Sequence, residues 1–98
     1  MALELVNQIE YDLWDAVAPL MRPVVSEFSW VDAFEDMEYG GYPAIGVASL
    51  LNAANAPLPA EAVEIIERFI PRLQEFNRDA SGVAAFLIKA KQRVGVSA

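Results

Sequence analysis

Apolar residues in this chain recur at three- and four-residue steps, and prolines and glycines cut the pattern into helix-sized pieces. Val6, Ile9, Leu13, Val17 and Leu20 lie on one face of a helix from Ala2 to about Met21, with Glu4, Gln8, Asp12 and Asp15 opposite. Pro19 and Pro23 each remove a backbone donor and disfavour helix in the preceding residue, so a kink or break is expected between Ala18 and Arg22. Helix resumes briefly through Val24, Val25 and Phe28. Ser29 then serves as the cap of a short second helix, Trp30 to Tyr39. Gly40-Gly41 supplies positive φ at its end, and Pro43 suits the first turn of the next helix.

That third helix, Pro43 to about Ala54, is small or apolar nearly all round and is expected at the centre of the fold. After the stiff connector Ala56-Pro57-Leu58-Pro59, a fourth helix runs from about Ala60 to Arg78. It has Val63, Ile66, Phe69, Ile70, Leu73 and Phe76 inward, and Glu64 placed to pair with Arg68. Pro71 falls on its polar side. A fifth helix, capped by Asp79 or Ser81, reaches about Arg93 with Val83, Phe86, Leu87, Ala90 and Val94 inward. The expected fold is therefore all-α, a single small four- or five-helix bundle spanning residues 1–98, with a kinked first helix and a short acidic second helix. Its length of 98 residues suits one core.

The chain lacks histidine and cysteine. This removes the commonest general base, Ser-His and Cys-His nucleophile pairs, thiolate metal sites and disulfides. Gly40-Gly41 leads into Tyr-Pro with no nearby lysine, so no phosphate-cradling loop is present. The acids around Asp32 lack the alternation and glycine of a calcium loop. No catalytic residue, metal site or cofactor is expected. Acidic residues in the first ten positions do not fit an export signal, and the expected location is cytoplasmic. The uncharged run from Tyr39 to Ala60 is broken by glycines, asparagines and prolines, which argues for a buried helix rather than a membrane span.

Charge is uneven along the chain. Residues 1–60 carry nine acids and one base, a net −8, and residues 61–98 carry five acids and six bases, a net +1. The acidic half disfavours nucleic acid and anionic membrane as ligands. Lys89, Lys91 and Arg93 read as dipole complement and solvated surface at the end of the last helix.

The second helix concentrates Asp32, Glu35, Asp36 and Glu38 with no base among them. Each like-charge pair at helical spacing costs ~0.2–0.5 kcal/mol. The C-terminal position of the last three acids adds unfavourable interaction with the macrodipole. A local conflict of this kind marks either a functional surface or a packed basic neighbour, for which Arg68, Arg72 and Arg78 are the candidates. Trp30 and Phe34, four residues apart, are expected in the core. Tyr39 and Tyr42 flank the glycine turn as contact residues, and Tyr11 can extend the same surface.

The candidate partner-binding set is thus Asp32, Glu35, Asp36, Glu38, Tyr39 and Tyr42. In size, charge and helical content the chain resembles the immunity proteins of bacterial nuclease colicins, although no individual motif carries the likeness. The resemblance implies an inhibitor or antitoxin that neutralises a basic toxin or nuclease by protein–protein contact. The alternative is a structural or adaptor helical subunit that homodimerises or joins a larger complex, as a mean hydropathy of +0.27 in so small a chain suggests.

Overall fold

The computed structural model describes residues 2–40, 42–76 and 80–97, without the side chains of residues 2–7, 39 and 40. Five α-helices account for almost all of it: α1 (Ala2–Met21), α2 (Glu27–Gly40), α3 (Pro43–Ala53), α4 (Ala60–Glu75) and α5 (Ala80–Val94). A 3-10 turn, Arg22–Val24, follows α1. Two-residue strands β1 (Leu58–Pro59) and β2 (Val96–Ser97) pair in parallel, tying the connector before α4 to the segment after α5.

The kink or break expected between Ala18 and Arg22 is met as a break, where the α-helix gives way to the 3-10 turn; a kink within α1 is not confirmed. The helix runs through Pro19 to Met21, and its geometry changes only at Arg22. Pro19 stands in the last turn, where its missing N–H deprives only the carbonyl of Asp15, an exposed residue. The buried stripe also differs from the expected one. It comprises Ile9, Glu10, Leu13, Trp14, Val17, Ala18 and Met21, while Leu20 is half-buried. Val6 lies outside the described side chains.

One cap differs from expectation, and of the two residues offered for another only one is described. Helix α2 begins three residues before Trp30, because Ser26 is its N-cap: the Ser29 N–H donates to Ser26 Oγ at 3.1 Å. Both serines can cap, and Glu27 in the first turn favours the earlier start. Ser81 sits inside α5, which starts at Ala80, whereas Asp79 lies outside the described residues. Helix α4 stops at Glu75.

Helix α3 is the hub, packing against α1, α2 and α5, while α4 closes the bundle against α1 and α5. Pro43, Ala44, Gly46, Val47, Leu50 and Leu51 are buried along it, in keeping with its composition. Close approach at the junction of α1, α2 and α3 depends on Gly46. A β-carbon there would lie 2.8 Å from the Trp14 ring and 3.1 Å from the Ala33 carbonyl oxygen.

The ends of α3 are held by its neighbours. Its N-cap residue, Tyr42, makes no side-chain cap. Instead Glu10 of α1, fully buried, accepts a hydrogen bond from the Ala44 N–H at 3.1 Å. At the other end Arg93 of α5 donates to the carbonyls of Ala54, Leu51 and Asn52. Arg93 is thus a structural tether between helices and not only a solvated dipole complement. The expected Glu64–Arg68 pair does not form, and Lys91 reaches Glu67 at 3.4 Å instead. Pro71 is exposed on α4, on the side its spacing indicates.

Candidate functional site

Helix α2 buries one narrow face and leaves the other open. Ala33 and Met37 are buried against α3, and Trp30 is half-buried. Around the outer face stand Glu27, Phe28, Val31, Asp32, Phe34, Glu35 and Glu38, all exposed. Phe28 is 82% exposed. This is an unusual amount of free aromatic surface for one short helix.

The helix is braced by aromatic contacts to α1. Trp14 stacks on Trp30 with ring centroids 5.8 Å apart, and Phe34 meets Trp14 tilted at 6.4 Å. Trp30 also carries the Arg22 guanidinium 4.6 Å from its ring centroid, and Arg22 pairs with Glu27 at 2.6 Å. Phe34 departs from the expected core assignment. It rests on Trp14 but is 39% exposed, because a residue four positions from Trp30 drifts by about 40° around a helix of 3.6 residues per turn.

Trp30, Val31, Phe34, Glu35 and Glu38 line an open groove of about 330 Å³. Its wall is apolar and aromatic, with two carboxylates at the margin. Among the described residues no cation pairs with Asp32, Glu35 or Glu38. Of the basic neighbours considered from the sequence, Arg68 and Arg72 do not supply one. Arg68 and Arg72 belong to α4, which packs on α1 and α5, and Arg72 lies over Phe69 at 4.9 Å. Arg78 is outside the described residues.

The six candidate residues therefore separate. Asp32, Glu35 and Glu38 share the outer face of α2, with Glu35 and Glu38 in the groove. Asp36 turns toward α3, where its Oδ2 accepts a hydrogen bond from Ser49 Oγ at 3.0 Å. It contributes to the helix interface, which compensates for the crowding of charge at that position. Tyr42 stands at the start of α3 and is 43% exposed. Tyr39 lies outside the described side chains. Tyr11, on α1, is 40% exposed.

Reading the sequence missed the groove's apolar wall, namely Val31 and the open side of Phe34. The signal was available: Phe28, Val31, Glu35 and Glu38 follow the same three- and four-residue spacing as a core stripe. Among the described residues no cluster of acids is gathered to hold a metal ion, and no helix is long and apolar enough to cross a membrane. Comparisons with protein-family models, curated proteins and solved structures give no match.

Proposed function

We propose that this chain is a binding protein rather than an enzyme, and that it docks a basic protein partner on the outer face of α2. In this reading it acts in the cytoplasm as an inhibitor or immunity-type antitoxin, its carboxylates covering the basic substrate-binding surface of a nuclease or toxin. The observation that carries the reading is the groove, where Glu35 and Glu38 border the exposed surface of Val31 and Phe34 and pair with no cation among the described residues. Apolar anchors with carboxylates beside them combine contact area with electrostatic steering.

The test is capture on immobilised protein from a lysate of the source cell, followed by salt elution. A basic nuclease or toxin that is released by salt, and is not retained by the Asp32→Asn/Glu35→Gln/Glu38→Gln variant, is the expected result. Binding unchanged between ~0.05 and 0.5 M salt would sink the proposal, because exposed charge pairs are strongly screened over that range.

A second reading, a homodimer or adaptor subunit, draws on the exposure of Phe28 at 82% and of Ile88, on α5, at 56%. It requires association that grows with protein concentration in sedimentation and withstands high salt.

A further inference from the structure

We infer that the α2 groove is an arginine subsite: it takes the guanidinium of an arginine carried on a segment of the partner protein, in preference to lysine. This rests on the proposal that α2 meets a basic partner, and it specifies the side chain and the mode of recognition.

Arg22 shows what this helix does with a guanidinium. Glu27 and Trp30 lie three residues apart on α2 and hold Arg22 between them, with the carboxylate at 2.6 Å and the ring centroid at 4.6 Å. One turn further along, the same combination of aromatic and carboxylate recurs. Phe34 and Glu38 are four residues apart, Glu35 adjoins them, and all three line the groove. Among the described residues no cation occupies this second position.

Arginine fits that chemistry better than lysine. Its guanidinium is planar, stacks on an aromatic face, sheds water at lower cost than an ammonium and can pair with a carboxylate through two parallel hydrogen bonds. The aliphatic stem of the same side chain can lie along Val31 while the charged head meets Glu35 and Glu38. Charge complementarity favours the encounter, because the half of the chain that contains α2 carries a net −8.

The experiment titrates the full chain with oligoarginine and oligolysine peptides of equal length and capped termini, at moderate salt, by calorimetry. Oligoarginine is expected to bind about two- to fivefold more tightly, the factor that corresponds to a cation–π contact at a partly exposed site. Phe34→Leu should erase that preference while leaving oligolysine binding nearly unchanged. Phe28→Leu, an aromatic loss on the same helix but outside the groove, should preserve it. Glu35→Gln/Glu38→Gln should weaken both peptides without disturbing the fold, since neither carboxylate has a partner among the described residues.

Equal binding of the two peptides, or a preference that survives Phe34→Leu in a variant of unchanged helicity, overturns the arginine subsite. In those cases salt-sensitive binding that depends on Glu35 and Glu38 leaves the basic-partner reading standing. Failure of oligoarginine to bind, or peptide binding blocked by self-association through the groove, overturns the inference too.

Discussion

Glu10 and Arg93 hold the two ends of α3 with the charges that its macrodipole favours, a carboxylate at the N-terminus and a guanidinium at the C-terminus. Four N–H groups and four carbonyls are left without intrahelical partners at the ends of any α-helix, and α3 is too buried for water to serve them all. Removing either side chain leaves some of these groups orphaned. Arg93→Met, which keeps the aliphatic stem, is expected to cost about 1–3 kcal/mol in urea-induced unfolding, with an unchanged denaturant slope. Glu10→Ala should cost a comparable amount, and Glu10→Gln less, because the amide oxygen still accepts from the Ala44 N–H. A Glu10→Ala protein as stable as the parent would remove the capping role. Neither contact was legible in the sequence, since each joins residues more than thirty positions apart. One clue was present: Glu10 shares the spacing of Leu13, Trp14 and Val17, and an acid within a core stripe needs a buried donor.

Helices could be read as elements because their spacing, prolines and caps are local properties, and α3, α4 and α5 begin within a residue or so of where those signals place them. The way the elements meet is not local. Trp14 governs the junction of α1, α2 and α3, yet nothing in its immediate sequence marks it as the partner of Trp30, Phe34 and Gly46. The same packing decides the sign of two glycine substitutions. Alanine is the better helix former by about 1 kcal/mol, so Gly82→Ala in α5, where an added β-carbon meets nothing within 4 Å, should stabilise by up to that amount. Gly46→Ala gains the same propensity but drives a methyl group against the Trp14 ring and the α2 backbone. Overpacking of this kind costs about 1–3 kcal/mol, and the net effect should be destabilising. Thermal unfolding of the two variants side by side tests the junction, with melting temperatures expected to move in opposite directions. Near-ultraviolet circular dichroism should change only for Gly46→Ala, where the tryptophans are disturbed.

Across the whole molecule, charge is distributed against the interest of folding: the −8 half includes a helix on which the exposed Asp32, Glu35 and Glu38 have no cation among the described residues. Like-charge repulsion along α2 and the unfavourable dipole at its C-terminal end are both exposed and both screened by salt. The Asp32→Asn/Glu35→Gln/Glu38→Gln variant, which changes the net charge from −7 to −4, should therefore unfold at higher urea than the parent. The gain should be about 0.5–1.5 kcal/mol at low salt and should shrink as salt is added. Asp36 belongs outside this set. Its hydrogen bond from Ser49 ties α2 to α3, and Asp36→Ala should lower stability by about 0.5–1.5 kcal/mol. The opposite signs would separate acids that cost the fold stability from an acid that supports it, a distinction that spacing in the sequence did not provide. If the three outer acids serve binding, the variant that gains stability alone must lose affinity for its partner, and the loss should be largest at low salt. A triple variant that is no more stable than the parent would mean that α2 tolerates its charge without cost, and the premise that a partner keeps those acids in place would fall.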